Sequence, residues 1–247
     1  MEKGNLYPAL EIVNIKNPNK FYAFPLIGFL AKIILLIPVY LELIFLYIGL
    51  VFVLLIGSFV VLFTDKYWQF GYRYNLGLMR LIVKTRLYFY GLTDKYPYFN
   101  FQIDDSYSFN MQTPSHPSKL FAVPLAGGLI RLLLLIPYLV FVEVIAVGAA
   151  LGYIISFYNV LSIGDFPEAT FEFIRDSVRV TQAAMAYFFG LSDDYPSFYI
   201  SLNHQNIKIA LIIAGILLTT GHRFTGPQTQ VRSHPTPAPI AQKWNTY

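Results

Sequence analysis

Two long apolar stretches dominate the pattern of hydrophobic and polar positions. The first covers Leu26–Phe63 and is interrupted only by Lys32, Glu42 and a few small polar residues, and the second runs from Leu120 to about Tyr158. As one straight helix, the first stretch would be about 57 Å long at 1.5 Å per residue. Because the hydrocarbon core of a bilayer is only about 30 Å thick, the pattern predicts membrane helices that fold back within each stretch.

A proline interrupts each apolar stretch, at Pro38 and Pro137. Proline removes a backbone donor and its ring clashes with the preceding turn, so we expect the helices to break there. Two helical hairpins result, with predicted helices over residues 22–37, 39–63, 120–136 and 138–160. In the alternative, the short first helices are interfacial or re-entrant, and each unit crosses the membrane once.

An amphipathic segment follows each hairpin. At about 100° per residue, polar side chains gather on one face of each segment. The basic stripe comprises Arg73, Arg80 and Lys84, and the acidic stripe comprises Glu168, Glu172 and Asp176. Both segments are expected to lie on the membrane as interfacial helices. Net charge is +4 over residues 64–99 and −4 over 160–203, so we expect the two stripes to face each other. Alternatively, the basic stripe binds anionic lipid.

Short polar turns end the amphipathic helices. Gly91 and Gly190 are typical helix stops, and each precedes an Asp-x-Tyr-Pro sequence. Asp94 and Asp193 are expected to bond to the backbone of their own turns. Beyond the first turn, the alternation over Phe99–Ile103 and Tyr107–Gln112 predicts two short strands on the aqueous side, which could form a hairpin.

The sequence repeats itself at an offset of 99 residues. The segment from Asn17 to Pro38 aligns with that from His116 to Pro137, and half of the 22 positions are identical. Further along, GLTDKYPYF aligns with GLSDDYPSF without a gap. Matches at Pro, Gly, Tyr and Asp rarely arise by chance, and they predict two tandem units.

The predicted fold class is an all-α membrane protein with two tandem helical-hairpin repeats, two interfacial helices and minor short strands. The predicted segments are an N-terminal part over 1–16, unit one over 17–115, unit two over 116–206, a possible short fifth transmembrane helix over 207–221 and a Pro-rich extended tail over 222–247. We expect Trp244 and Tyr247 to anchor this tail on a partner subunit.

Composition narrows the function classes. Of the 247 residues, 55% are hydrophobic and only 13% are charged, whereas soluble domains average about 25% charged residues. Cysteine is absent, which excludes disulfides, Cys-ligated zinc, iron–sulfur clusters and thiol catalysis. The four histidines lie outside the apolar stretches, and nucleotide-binding and hydrolase motifs are missing. We therefore expect no catalytic residues, no cofactor and no metal, and no nucleic acid as a partner.

Four charged residues lie within the apolar stretches: Glu42, Glu143, Lys32 and Arg131. A charge at the centre of a bilayer costs at least about 3 kcal/mol on insertion scales. The glutamates could form a proton or cation site or contact a partner helix. The simpler interpretation is that they neutralise Lys32 and Arg131, which occupy equivalent positions of the two units, or lie near the surface where the helices break.

These motifs resemble an uncharacterised bacterial membrane family, a domain of unknown function whose units carry an Ile-Pro dipeptide in an apolar helix and end in TD-x-YP-x-F. The resemblance covers residues 17–203 as two tandem units. Ile37-Pro38 and Thr93–Pro97 match the family pattern, whereas Ser192–Pro196 departs at its first position. The family has no established activity, so the resemblance implies topology only.

The expected function is that of a non-catalytic accessory or scaffold subunit of a larger membrane complex, in contact with other membrane subunits and lipid. The alternative is a transporter or lipid-handling protein. We expect location in the bacterial inner membrane. Six basic residues between positions 64 and 99 place that segment in the cytoplasm by the positive-inside rule.

Overall fold

The computed structural model describes residues 8–13, 18–24, 26–98, 100–101, 107–111, 117–201 and 203–224. Six helices and two short strands account for most of these residues. In chain order the elements are β1 Ala9–Ile12, α1 Ile27–Thr64, α2 Gln69–Phe89, β2 Tyr107–Asn110, α3 Lys119–Ala122, α4 Ala126–Ser162, α5 Glu168–Phe188 and α6 Gln205–Phe224. A 3-10 turn over Lys20–Ala23 precedes α1.

The two apolar stretches form continuous helices, α1 of 38 residues and α4 of 37 residues. Both are long and apolar enough to cross a membrane. Pro38 and Pro137 lie inside these helices, so the predicted hairpins with breaks at the prolines are wrong. The alternative with separate re-entrant first helices also differs from this structure.

A tyrosine hydroxyl supports each helix beside its proline. Proline lacks the N–H that would bond four residues back, and the resulting distortion weakens the adjacent hydrogen bond as well. Tyr96 donates its hydroxyl to the carbonyl oxygen of Leu35 at 2.8 Å, three residues before Pro38. Its counterpart Tyr195 donates to Leu134 at 3.1 Å. A sharp turn would leave more backbone groups without partners in apolar surroundings, so the helix continues.

The helices α2 and α5 form the packed interior instead of lying on a surface. α2 packs against α1, α5 packs against α4, and α2 and α5 contact each other. Leu78, Met79 and Leu81 of α2 and Phe173 and Ile174 of α5 are fully buried. This burial contradicts the solvated face that was expected of two interfacial helices. The chain segment that follows each of these helices packs on it and covers much of its polar face.

The strand over Tyr107–Asn110 is confirmed, but its partner is β1 near the N-terminus. The two strands pair antiparallel, with Ala9 opposite Asn110 and Ile12 opposite Tyr107. Residues 100–101 are not in a strand, and the rest of the predicted strand over 99–103 lies outside the described residues. The sequence pattern missed β1, because Ala9–Ile12 (ALEI) lacks the regular alternation of polar and apolar residues that marks β2.

The predicted short helix near the C-terminus is present as α6, which packs along α4. Glycines on both helices permit this close approach. A Cβ atom at Gly148 would lie 2.8 Å from the carbonyl oxygen of Leu211, and one at Gly215 would overlap the carbonyl oxygen of Val144. Gly148 and Gly152 form a G-x-x-x-G sequence, which is typical of close packing between membrane helices.

The beginning of each long helix lies beside the end of the other. Lys32, near the start of α1, contacts Tyr153 in the last third of α4. Conversely, Lys119, just before α4, forms an ion pair of 2.8 Å with Asp65 at the end of α1. This antiparallel arrangement creates two junctions between the helices, one at each end.

Candidate functional site

A large groove lies at the junction between the second half of α1 and the start of α4. Its volume is about 890 Å³, which is within the range of small-molecule and cofactor sites. The walls are mostly apolar: Leu50, Leu54 and Val61 come from α1, and Leu129 and Leu132 come from α4. Trp68, Asn75, Arg131 and Asp193 add polar atoms to the lining.

Arg131 is held rigidly at the groove. Its Nη1 atom donates to the carbonyl oxygens of Tyr187 at 2.6 Å and Ser192 at 2.8 Å, and Nη2 pairs with the Asp193 carboxylate. The guanidinium carbon lies 4.5 Å and 4.9 Å from the ring centroids of Phe121 and Tyr187. Because Asp193 neutralises the buried guanidinium, the pair adds polar atoms to the groove lining with little net charge.

Lys32 has an equivalent place at the other junction. Its Nζ atom donates to the carbonyl oxygen of Phe89 and to the hydroxyl of Tyr153, both at 3.4 Å. The rings of Tyr22, Tyr88 and Tyr153 surround the ammonium, with centroids 5.6, 5.9 and 5.4 Å away. Asp94 lines the same small pocket. This ammonium is therefore stabilised by cation–π contacts as well as hydrogen bonds.

Contacts of these two sites recur at the offset of 99 residues. Asp94 accepts the backbone N–H of Asn19 at 2.8 Å, and Asp193 accepts that of Ser118 at 2.8 Å. The expectation that both aspartates bond within their own turns is therefore wrong. Within each turn, the hydroxyl before the aspartate accepts the backbone hydrogen bond. Thr93 accepts the N–H of Lys95, and Ser192 accepts the N–H of Asp194, both at 3.1 Å.

The two junctions differ in how much of their space side chains fill. The pocket at Lys32 has a volume of only about 20 Å³, and Tyr153, Ser156 and Phe157 occupy its α4 side. The residues 99 positions earlier are Leu54, Gly57 and Ser58, and all three line the large groove. Replacement of two aromatic rings by a leucine and a serine accounts for the open space at Arg131.

The acidic residues beside Arg131 and Lys32 are aspartates rather than the glutamates of the two apolar helices. Arg131 pairs with Asp193, and Lys32 shares its pocket with Asp94. Glu42 is half-buried, and its Oε2 atom has no hydrogen-bond partner within the described part of the chain. Glu143 is exposed on α4.

The basic stripe is divided between solvent and the strand region. Arg73 is exposed. Arg80 donates to the carbonyl oxygen of Phe109 at 3.4 Å, and Lys84 donates to that of Asn100 at 3.2 Å. Two of the three residues thus hold the segment that follows α2.

The acidic stripe likewise contacts the segment that follows its own helix. Glu168 lies 3.6 Å from His204, and Glu172 pairs with buried Lys208 at 2.7 Å. Asp176 accepts the N–H of Ser201 at 2.8 Å. Burial opposes ionisation of Glu172, but the hydrogen bond and charge of Lys208 outweigh it and lower the pKa of this carboxyl. Helices α2 and α5 contact each other, but the described ion pairs of the acidic stripe lead to Arg175 and Arg179 of α5 itself and to His204 and Lys208 at α6.

Several residues of the sites could not be identified from sequence patterns. Tyr22 and Tyr153 come from segments far apart in the chain, and Lys208 lies outside the repeated segments. Only the equivalence of Lys32 with Arg131 and of Asp94 with Asp193 gave a usable signal. Within the described residues, no cluster of three His, Asp or Glu side chains could hold a metal ion. Trp244 and Tyr247 lie outside the described residues.

Comparison with known proteins supports an uncharacterised family. Residues 127–199 match the model of a family described as Domain of unknown function (DUF4389). This segment contains most of α4, all of α5 and the turn at Asp193. No curated protein and no solved structure gives a significant match to the chain. The family description assigns no chemistry to the matched residues.

Proposed function

We propose that this protein is a non-enzymatic integral membrane protein of the bacterial inner membrane, and that it binds a membrane lipid in the groove at Arg131. The groove itself is the observation that carries the proposal. It combines a mostly apolar volume of about 890 Å³ with the Arg131–Asp193 pair in its lining, and an amphiphile requires both kinds of surface.

The exposure of α1 and α4 supports a membrane location. Their most apolar stretches are only 17% and 28% buried, so neither helix resembles the core helix of a soluble protein. Large side chains such as Phe45, Phe52 and Leu133 are more than half exposed. Exposed apolar surface of this extent is stable next to lipid or another protein, but unfavourable in water. Leu129 and Leu132 of the groove lining are themselves exposed, which gives lipid access to the groove.

We also propose that the chain is built from two tandem units related by an approximate twofold axis. The 99-residue offset in sequence, the reciprocal placement of the long helices and the recurring aspartate and tyrosine hydrogen bonds support this arrangement. In such a duplication the two junctions are copies of one ancestral site. One copy has retained the open groove, while aromatic side chains fill the other.

Fluorescence of Trp68 tests lipid binding in the groove. Trp68 lines the groove, and the chain has only two tryptophans, so Trp244→Phe leaves Trp68 as the single reporter. We expect phosphatidylcholine with brominated acyl chains to quench Trp68 saturably in detergent, with a stoichiometry near one lipid per chain. The bromines would lie in direct contact with the indole ring.

A matched reporter outside the groove provides the control. Phe45 of α1 is largely exposed and does not line the groove. The variant Trp68→Phe/Trp244→Phe/Phe45→Trp should be quenched only in proportion to total brominated lipid. Equal, non-saturating quenching of both reporters would show that lipid contacts the protein only as solvent and would overturn the proposal.

A scaffold role is the second candidate, and the length of α1 favours it. At 1.5 Å per residue its 38 residues extend about 57 Å, so an upright helix would project far beyond the roughly 30 Å hydrocarbon core. Phe63 and Ile27, near its two ends, are both mostly exposed. Strong tilting of α1 in the membrane, or contact with a partner subunit, would shield these apolar ends from water.

Purification in mild detergent tests the scaffold role. If partners cover α1, charged replacements at its exposed C-terminal end, Phe59→Lys and Phe63→Glu, should reduce recovery of co-purifying subunits by at least severalfold. The same charges at Ile163 and Tyr158, at the end of α4, serve as the matched comparison. A homogeneous chain without stoichiometric partners, before and after these changes, would argue against the scaffold role.

A further inference from the structure

The junction at Lys32, which side chains fill, indicates what kind of ligand the open groove at Arg131 binds. Tyr153 places an aromatic ring against apolar neighbours and presents its hydroxyl oxygen to Lys32 at 3.4 Å. Phe157 packs against Tyr153 with ring centroids 4.4 Å apart. Together the two side chains resemble an amphiphilic ligand. Their rings form the apolar part, and the Tyr153 hydroxyl is the one uncharged oxygen that accepts from Lys32.

The corresponding positions at the open groove lack both the apolar body and the acceptor. Leu54 stands where Tyr153 lies in the other half, and Ser58 stands where Phe157 lies. Arg131 still has the support that its counterpart has: an aspartate, a backbone carbonyl and two flanking rings. An occupant of the groove would therefore supply both missing features.

The charge at Arg131 restricts the acceptor further. Asp193 already neutralises the guanidinium and also accepts the N–H of Ser118 at 2.8 Å. A phosphate placed there would approach the aspartate and would experience repulsion in a site of low dielectric constant. An uncharged carbonyl oxygen avoids this repulsion. Among described contacts, Arg131 uses three of its five N–H donors, which leaves two for such an oxygen.

We propose that the groove binds the glycerol ester region of a diacyl lipid, with an ester carbonyl oxygen accepting a hydrogen bond from Arg131. The oxygen takes the position at Arg131 that the Tyr153 hydroxyl takes at Lys32. One acyl chain occupies the space that Tyr153 and Phe157 fill in the other half. This inference rests on the proposed lipid-binding function and specifies which part of the lipid is recognised.

Lipid chemistry provides the first test, with the Trp68 reporter in the otherwise wild-type sequence. Ester-linked brominated phosphatidylcholine should bind about tenfold more tightly than its ether-linked analogue, which has no carbonyl oxygen. The factor corresponds to the loss of one hydrogen bond to a charged group. Ester-linked phosphatidylcholine and phosphatidylglycerol should bind within about threefold of each other, because the headgroup charge lies away from Arg131.

Exchange of residues between the two junctions provides the second test. Leu54→Tyr/Ser58→Phe should fill the groove from within and weaken saturable lipid binding by more than tenfold. Ile56→Tyr is the matched control, since Ile56 is about half exposed and lies outside the groove lining. Conversely, Tyr153→Leu/Phe157→Ser should open the junction at Lys32 and raise the bound lipid, counted by native mass spectrometry, from one to two per chain.

The outcomes separate this inference from the proposed function. Absence of saturable binding to the wild-type groove would contradict both. Saturable binding with equal affinity for ester and ether lipids, or at least tenfold preference for the anionic lipid, would overturn the ester inference and leave lipid binding intact. Unchanged binding to Leu54→Tyr/Ser58→Phe would also overturn it. The comparison of ester with ether lipid uses the unaltered groove, so it remains decisive even if an exchanged variant does not fold.

Discussion

Replacing Lys208 by methionine is expected to destabilise the protein by about 3 kcal/mol, since loss of one partner of a buried ion pair leaves the other charge uncompensated. Lys208 is 1% exposed, and its Nζ atom donates to Glu172 at 2.7 Å and to the carbonyl oxygen of Ser201 at 2.9 Å. The pair joins α6 to α5. Chemical unfolding in detergent, followed by circular dichroism, would measure the loss.

A double-mutant cycle separates the ion pair from packing. Glu172→Leu/Lys208→Met removes both charges and should recover more than half of the stability lost in Lys208→Met alone. The reciprocal single change, Glu172→Leu, completes the cycle. Additive effects of the two substitutions would contradict a direct interaction between these side chains.

The same pair predicts a dependence on pH with a defined sign. Lys208 holds the pKa of Glu172 below its usual value of 4.5, so the pair stabilises the folded state above that pH and loses this contribution as the pH falls through the lowered pKa. In Lys208→Met, burial still raises the pKa of Glu172, and only the weaker influences of Asn203 and Arg175 oppose it. The stability difference between wild type and variant should therefore shrink below about pH 4.5, and a constant difference would argue against this assignment.

Replacing Gly215 by leucine is expected to separate α6 from α4. A Cβ atom at this position already overlaps the carbonyl oxygen of Val144, so the helices must move apart to admit a larger side chain. Overpacking of a closely packed contact costs about 1–3 kcal/mol. We expect a lower thermal midpoint in detergent and faster proteolysis of the connection between α5 and α6.

Gly221 on the same helix provides the matched control. A Cβ atom there would meet nothing within 4 Å, so Gly221→Leu has the same change in helix propensity without the steric conflict. It should leave both the thermal midpoint and the proteolysis rate near the wild-type values. Similar effects of the two substitutions would show that α6 is not held by close packing at Gly215.

The hydrophobic pattern by itself determined the two long apolar stretches, although not their continuity as single helices, and also the strand over 107–110 and the short C-terminal helix. These features depend on local periodicity and composition, which a sequence displays directly. The 99-residue repeat likewise identified Lys32 with Arg131 and Asp94 with Asp193 before any geometry was known. Residues at equivalent positions of a repeat can be compared without knowledge of their partners.

Only the tertiary structure decided how the prolines, charges and turns are used. Pro38 does not end α1, because Tyr96, 58 residues further along, satisfies a carbonyl oxygen beside it. Likewise, Asp193 bonds to Ser118 across 75 residues, and β2 pairs with a strand near the N-terminus. Such partners depend on which segments the fold brings together, and nothing in a local pattern encodes that choice.

The difference between the groove at Arg131 and the filled junction at Lys32 also depends on both the sequence and the tertiary structure. The sequence displays Leu54 and Ser58 opposite Tyr153 and Phe157 in the repeat alignment, but these differences have no meaning until the four residues are known to face a buried cation. The antiparallel placement of α1 and α4 brings each pair to the basic residue of the other unit. Side-chain volume at that contact, which depends on both halves of the chain, decides whether the site is open.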